Sequence, residues 1–166
     1  MNKIQQSFID ENGIYHIRWT LFDIVHSAIA RTRDIEIAKF GLTTQQAKAL
    51  WTIHMYGGKV TESELAAATL RQHHSTYTLI NRMIKLKLIK KVKSPKENFA
   101  RFVATEKGNN IYKQLTRTST EYIFSGLSTE ELKQLDSILL KLDKRANAFL
   151  GIDHDEMVQT FFEKGD

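Results

Sequence analysis

The side chains best suited to chemistry in this sequence lie in its middle, between residues 65 and 96. Those 32 residues contain eight Lys or Arg and no Asp or Glu, whereas the whole chain carries a net charge of only +5. The remaining residues are therefore net negative, and the basic character is local. A local basic surface is typical of proteins that face phosphate groups, so this charge pattern favours nucleic acid as the partner. The alternative is an ordinary solvated face.

Part of this basic stretch has the spacing of an amphipathic helix. Apolar residues recur at the i, i+3, i+4, i+7 interval and predict a helix over residues 74–87. They are Leu79, Ile80, Met83 and Leu86, with the small Thr76 one turn earlier. The opposite face is polar and lacks carboxylates, which suits a helix that enters the major groove of DNA.

Two roles are predicted for the side chains of this region. Basic side chains would contact phosphates and set affinity; the candidates are Arg71, Arg82, Lys85, Lys91, Lys93 and Lys96. Polar side chains of the helix would lie nearest base edges; they are His74, Ser75, Tyr77, Thr78 and Asn81. His73, just before them, is a further candidate for DNA contact. An Asn can bind adenine through two hydrogen bonds, which makes Asn81 the candidate for reading sequence. The alternative for each polar residue is a helix surface in contact with water.

The elements that must position these side chains form a winged helix–turn–helix pattern. Residues 88–93 and 99–104 suit two short strands, and residues 94–98 with Pro95 suit the turn between them. Residues 59–61 suit a third strand. A capping box from Thr61 to Glu64 opens the first helix of the motif, and residues 70–73, ending at His73, form the turn.

Long helices are predicted on both sides of this winged helix–turn–helix, which we call the reading head. Residues 14–40 are predicted to form one helix ended by Gly41. Trp19 and Phe22 lie off its apolar stripe, which predicts two buried faces, one against its own domain and one against a second chain. A capping box at Thr43 opens a helix that runs to Met55. After the hairpin we expect a helix over residues 106–124. A third capping box at residues 128–131 is predicted to open a leucine-rich helix that ends at residue 151, and a short helix is expected over residues 153–162. Residues 1–13 are predicted to be an arm.

The sequence therefore predicts a mainly α fold of one domain with a small three-stranded sheet. The leucine-rich stripes of the flanking helices need a partner surface, and a two-fold homodimer supplies one. The 166 residues contain no Cys, which excludes disulfides and thiolate metal sites. None of the six His pairs with another at the i, i+4 spacing, so no metal and no cofactor are expected.

No enzyme motif is present: neither a nucleophile elbow nor a phosphate-binding glycine loop can be found. The sequence also lacks an apolar run of roughly 20 residues and the apolar core of a signal peptide. We therefore expect a cytoplasmic protein without catalytic activity.

The order of elements and three local motifs resemble the multiple-antibiotic-resistance regulator (MarR) family of dimeric transcription factors. Residues 64–66, Glu-Leu-Ala, resemble the start of the first helix of the reading head. Residues 74–83 with 87–89 resemble the recognition helix and its exit into the wing. Ala104-Thr105-Glu106-Lys107-Gly108 resembles the Leu-Thr-x-x-Gly that follows the wing. The resemblance covers about residues 14–150 and is carried by order and spacing more than by any single motif.

The resemblance implies a dimeric regulator of transcription, acting as a repressor. Residues 43–105 would be the DNA-binding region, and residues 1–42 and 106–166 would be dimerisation helices. One departure concerns the wing, where the family has Asp-Arg-Arg and this chain has Lys96-Glu97-Asn98. Either Lys96 or Arg101 would replace the family's arginine, or the wing would grip only the DNA backbone. Two recognition helices would fit a pseudo-palindromic operator with half-sites about 10 bp apart.

The resemblance also implies a small aromatic or phenolic effector at the junction of the first, second and fifth helices. The candidate residues are Trp19, Phe22, Trp51, His54, Met55 and Tyr112. The alternative is core packing, which the periodicity by itself favours. For the whole protein, the alternative to a DNA-binding regulator is a protein-interaction module of the same fold whose basic face binds an acidic protein.

Overall fold

The structure, a computed structural model, describes residues 13–69, 73–93 and 99–151. Within those ranges the order of elements is α1 (Gly13–Ala38), α2 (Thr44–Met55), β1 (Lys59–Val60), α3 (Glu62–Thr69), α4 (His73–Lys85), β2 (Ile89–Lys93), β3 (Ala100–Ala104), α5 (Glu106–Gln114), α6 (Thr118–Phe124) and α7 (Thr129–Leu150). The predicted arm, apart from its last residue, and the predicted helix over residues 153–162 lie outside the described part. None of the helices just named is long and apolar enough to span a membrane.

Three capping boxes open helices, as the sequence predicts. In each, a hydroxyl accepts the N3 backbone N–H while the N3 side chain accepts the N–H of the capping residue, so two otherwise unpaired donors are bound. The pairs are Thr43 with Gln46, at 3.3 and 2.9 Å, Thr61 with Glu64, at 3.1 and 2.6 Å, and Ser128 with Glu131, at 3.3 and 2.8 Å.

The three strands form one antiparallel sheet in which β3 lies between β1 and β2. Val60 pairs with Phe102, and Lys91 pairs with Phe102 from the other side. The core lies between this sheet and helices α2, α3 and α4. Its fully buried side chains include Leu50, Ile53, Val60, Leu65, Ile80, Met83, Leu88 and Ile89. This core holds the reading head together and orients α4 towards solvent.

Helix α4, the predicted recognition helix, ends earlier than the pattern predicts. It stops at Lys85, and Leu86, which the periodicity placed on the buried stripe, is 43% exposed. Lys87 has a φ of 58°, the left-handed conformation that ends many helices. The chain therefore turns away two residues earlier than expected and enters β2.

The predicted single helix over residues 106–124 is wrong, because the chain forms two helices there. α5 ends at Gln114 and α6 begins at Thr118. The backbone N–H groups of Thr118 and Ser119, which a continuous helix would pair with carbonyls four residues earlier, donate instead to the carboxylate of Glu36, at 2.9 and 3.2 Å. A side chain from α1 thus opens a new helix within the segment that the sequence predicts as one helix.

The prediction that α1 has two buried faces, one of them against a second chain, stays a prediction, because only the end of α1 is buried in the single chain. Glu36 and Ile37, near its end, are its only fully buried residues. Its aliphatic residues from Ile14 to Val25 are exposed, from 40% for Ile14 to 61% for Leu21 and Ile24. α7 is similar: Ile138, Leu142 and Phe149 are 54%, 52% and 93% exposed. Both long helices therefore present unburied apolar faces.

Candidate nucleic-acid interface

The outer face of α4 presents the polar residues that the sequence assigned to base contacts. His74, Thr78 and Asn81 are exposed, and Tyr77 is 55% exposed. Ser75 is half-buried, and the opposite face holds the buried Thr76, Ile80 and Met83. The Thr78 hydroxyl donates to the His74 carbonyl, at 3.1 Å, so its oxygen can still accept a hydrogen bond. Hydrophobic periodicity thus correctly separated the two faces of this helix.

Basic side chains surround this polar face. Arg82 and Lys85 in the last turn of α4, and Lys90, Lys91 and Lys93 in β2, are all exposed. α4 has no acidic residue in its first turn, and cations in its last turn suit the helix dipole. A duplex brought to this face would meet hydrogen-bonding groups at its centre and positive charge beside them.

Some predicted contacts are not placed by the structure. Arg71 and Lys96 fall outside the described residues, and of His73 only its position at the start of α4 is described. The roles predicted for these three side chains stay predictions.

Arg101 is placed differently from the other predicted contacts. Its guanidinium lies 3.8 Å from the carboxylate of Glu64 and 5.3 Å from the centre of the Phe99 ring. Its side chain is only 21% exposed. In this arrangement Arg101 packs the wing strand β3 against α3, and its charge is partly neutralised there. It is the least suited of the described candidates to bind phosphate.

The exit of α4 is held by the segment that begins α5. Three consecutive carbonyls accept hydrogen bonds from that segment: Leu86 from the Lys107 ammonium at 3.0 Å, Lys87 from the Thr105 hydroxyl at 2.6 Å, and Leu88 from the Thr105 N–H at 3.0 Å. Thr105 also accepts the Gly108 N–H at 3.1 Å and so caps α5. These bonds give the motif over residues 104–108 a physical purpose, because they fix the angle between recognition helix and wing.

Beside the reading head, an open cleft of about 500 Å³ lies between α1, α2, α5 and α6. Trp51 and Tyr112 supply its aromatic wall. Its cationic residues are Arg33, Lys48, Lys113 and Arg117, and the described residues that line it include no Asp or Glu. Burial lowers the pKa of Lys48. The chemistry of such a cleft suits an aromatic anion.

The structure brings together only part of the predicted effector site. Tyr112 stacks on His54 with ring centres 4.0 Å apart, and Trp51 lies on the same cleft. Met55 is half-buried at the end of α2 and does not line the cleft. Burial and the charge of Lys113 lower the pKa of His54, whose Nε2 is buried and has no hydrogen-bond partner among the described residues.

The placement of Trp19 and Phe22 in that site is wrong for the single chain. Both are exposed on α1, at 61% and 45%, and neither lines the cleft. Phe22 lies 11 residues before Arg33, the nearest α1 residue that lines the cleft, which is roughly 16 Å along a helix. Trp19, Phe22 and His26 instead form a row of aromatic rings, each 6.3 Å from the next, on the exposed apolar face.

Sequence reasoning missed Arg33, Lys48 and Glu36, which belong to the cleft and its margin. Arg33 donates to Glu36 at 2.6 Å and to the Thr116 carbonyl at 2.7 Å. No local signal marks these residues, because each looks like an ordinary surface charge of an amphipathic helix. The described part of the chain contains no group of three or more His, Asp or Glu that could hold a metal ion.

The comparison with protein families gives a match to the MarR family over residues 40–97. This range covers α2, the sheet-forming β1 and β2, and the helix–turn–helix. No curated protein sequence matches the chain.

Solved structures with the same fold span most of the chain. The organohalide-sensing RdhR transcriptional regulator, ligand-free, is 25% identical, with 80% of each chain covered and a TM-score of 0.71. Its form bound to 2,4-dichlorophenol matches with the same values. AbsC, a MarR family transcriptional regulator from Streptomyces coelicolor, is 20% identical, with 84% of this chain and 97% of AbsC covered and a TM-score of 0.76.

A fourth structure is a complex with DNA. MepR of S. aureus, bound to DNA, is 21% identical, with 76% of this chain and 94% of MepR covered and a TM-score of 0.69. The likeness to AbsC and MepR concerns the fold. Together with the family match, it confirms the predicted winged helix–turn–helix with flanking long helices.

Proposed function

We propose that this chain, whose residues 40–97 match the MarR family, is a sequence-specific regulator of transcription that binds double-stranded DNA as a homodimer. One observation carries the proposal: the outer face of α4 is exposed, polar and free of carboxylates, with exposed lysines beside it. Such a face is attracted to the phosphates of a polyanion such as DNA and has no carboxylate to repel them. We further propose that the protein represses nearby genes.

The homodimer is supported by the exposed apolar faces of α1 and α7. Ile24 and Leu142 are more than half exposed, and Phe149 is 93% exposed. Contiguous apolar surfaces of this kind mark interaction sites in soluble proteins, and a second copy of the chain offers the same surface in a two-fold arrangement. Two recognition helices would then meet a pseudo-palindromic operator with half-sites about 10 bp apart.

The cleft is the proposed effector site, and an aromatic acid or phenolate is the proposed ligand class. Its aromatic wall and four cationic residues match such a ligand, and the fold relative RdhR has been solved with 2,4-dichlorophenol. A ligand would shift DNA affinity only if it binds one dimer shape better than the other. We propose that the effector releases the repressor from its operator.

Binding to DNA fragments at several salt concentrations tests the central proposal. We expect steep salt dependence, about −0.9 in log K per log salt for each phosphate contacted, and a large preference for one sequence from the region upstream of its own gene. The competing possibility, a module that binds an acidic protein, predicts weak DNA binding without sequence preference. That second result would overturn the regulator function.

Two substitutions separate the predicted roles of the helix and the strand. Asn81→Ala should cost about 1–3 kcal/mol on one base pair of the operator and much less on variants altered at that pair. Lys91→Ala should weaken binding to all sequences alike and reduce the salt slope by about one. Lys141→Ala, an exposed lysine on α7, serves as a control and should change neither quantity. Equal losses on every sequence for both variants would contradict these roles.

A further inference from the structure

The carboxylate of Glu36 is the central acceptor of a joint between α1 and α6. Glu36 is 7% exposed and accepts hydrogen bonds from the hydroxyls of Thr116 and Ser119 as well as from the N–H groups of Thr118 and Ser119. Burial by itself would raise its pKa, but the bonds from Ser119, Thr116 and Arg33 outweigh burial and lower the pKa to about 2. The charge of Glu36 is therefore what holds the start of α6.

Arg33 belongs both to this joint and to the cleft. Its NH1 group donates to Glu36 at 2.6 Å and to the Thr116 carbonyl at 2.7 Å, while the side chain also lines the cleft and is 23% exposed. A guanidinium has five N–H donors, so one edge can serve the joint while another faces a ligand. Any anion in the cleft would share this cation with Glu36.

The residues of α1 that form this joint lie beside the residues of α1 that contact the reading head. One residue after Arg33, Asp34 accepts a hydrogen bond from the Thr44 hydroxyl at the start of α2, and Ile37 is buried in the core. The same two turns of α1 therefore contact α6 on one side and the reading head on the other. The setting of α1 relative to the reading head depends on how firmly Glu36 holds α6.

We propose that Arg33 couples ligand binding in the cleft to the joint between α1 and α6. An anionic ligand binds the Arg33 guanidinium, repels the Glu36 carboxylate and weakens the hydrogen bonds of the joint. The inference rests on the proposed effector function and names the route by which that effector acts. Two carboxylates that share one cation within a few ångströms disfavour each other's charged form. The bonds from Glu36 to Thr118 and Ser119 weaken as a result, and by reciprocity a firm joint opposes ligand binding.

The experiment uses benzoate as the anionic probe and benzamide as its uncharged counterpart. Trp19→Phe leaves Trp51, on the wall of the cleft, as the only tryptophan of the chain, so its fluorescence reports binding. Amide hydrogen exchange at Thr118 and Ser119, followed by NMR in the full-length protein, reports the joint. The amide of Leu132, bonded to Ser128 at 2.9 Å in a different helix, is the internal reference.

We expect saturating benzoate to accelerate exchange at Thr118 and Ser119 by about fivefold or more and to leave Leu132 unchanged. Benzamide should leave all three amides unchanged. Arg33→Gln should show fast exchange at Thr118 and Ser119 without ligand and no further response to benzoate. Its matched control Arg31→Gln, an exposed residue of the same helix, should behave like the unmodified protein. Arg33→Lys retains one charge and should lie between them.

The outcomes separate this inference from the function on which it rests. If benzoate leaves the fluorescence of Trp51 unchanged, the cleft is not a site for aromatic acids. The proposed effector site and the role of Arg33 are then both refuted. If benzoate binds but exchange at Thr118 and Ser119 stays the same or slows, the effector site stands and the role of Arg33 is refuted. Equal exchange in Arg33→Gln and Arg31→Gln refutes it as well, without any ligand.

Discussion

A single glycine shows how closely the exit of the recognition helix is packed. A Cβ built on Gly108 would lie 2.1 Å from the Leu88 carbonyl oxygen, which itself accepts the Thr105 N–H at 3.0 Å. The atom in the way is backbone, so it cannot move aside as a flexible side chain would. The requirement for glycine here comes from this contact, since Gly108 lies inside the regular helix α5.

Gly108→Ala is therefore expected to lower the free energy of unfolding by at least about 3 kcal/mol. Gly126→Ala is the matched control, because its Cβ would be 3.4 Å from the nearest atom, the Ile123 carbonyl oxygen. Urea unfolding of both variants measures the difference. Similar stabilities for the two variants would show that the segment adjusts to a methyl group.

The Glu36 carboxylate makes stability depend on acid. Its pKa in the folded protein, about 2, is below the ordinary value of 4.5, so its contribution is complete above pH 4.5 and is lost as the pH falls towards 2. Glu36→Gln should be less stable than the unmodified protein at pH 7, and this difference should shrink across that window. The test is urea unfolding at several pH values.

Glu121→Gln, which alters an exposed carboxylate of α6, is the control for Glu36→Gln. Its stability should stay close to that of the unmodified protein at pH 7. A difference between Glu36→Gln and the unmodified protein that is constant from pH 7 to pH 2 would mean that the charge of Glu36 does not hold the joint.

At the scale of elements, Thr105 connects α4, β2 and α5. Its hydroxyl caps α5 through the Gly108 N–H at 3.1 Å and donates to the Lys87 carbonyl at 2.6 Å. Thr105→Val keeps the shape of the side chain and removes both bonds, so unfolding should become easier by about 1–2 kcal/mol. Thr32→Val removes a hydroxyl that, among the described residues, donates to the Ile29 carbonyl within its own exposed turn, and should cost less than about 0.5 kcal/mol. Thermal or urea unfolding compares the two, and equal costs would contradict the role of Thr105.

The elements also separate what local sequence can specify from what it cannot. Capping boxes at Thr43, Thr61 and Ser128 correctly mark three helix starts, since each box is closed by residues three apart. The start of α6 has no such box, and its first N–H groups bind Glu36, more than 80 residues earlier in the chain. A pattern of apolar residues cannot reveal a cap that comes from another helix.

At the scale of the whole molecule, the proposed homodimer depends on the exposed apolar face of α7. Leu142→Glu places a charge at the centre of the proposed interface, where burial without a partner is costly. We expect sedimentation to show monomers and operator affinity to fall on the order of 100-fold, because one recognition helix then binds without its partner. Lys144→Glu, an exposed residue on the opposite side of the helix, should stay dimeric. A dimeric Leu142→Glu variant would place the interface elsewhere.

The sequence by itself determined the winged helix–turn–helix, the faces of α4 and the local basic surface. These follow from periodicity and composition over a few turns of chain, where neighbours in sequence are neighbours in space. Only the tertiary structure decided that Arg101 lies beside Glu64, that Trp19 and Phe22 are far from the cleft, and that Glu36 divides one predicted helix into two. Each of these depends on contacts between residues that are far apart in the sequence. A pattern of residue types along the chain does not contain the distances between such residues.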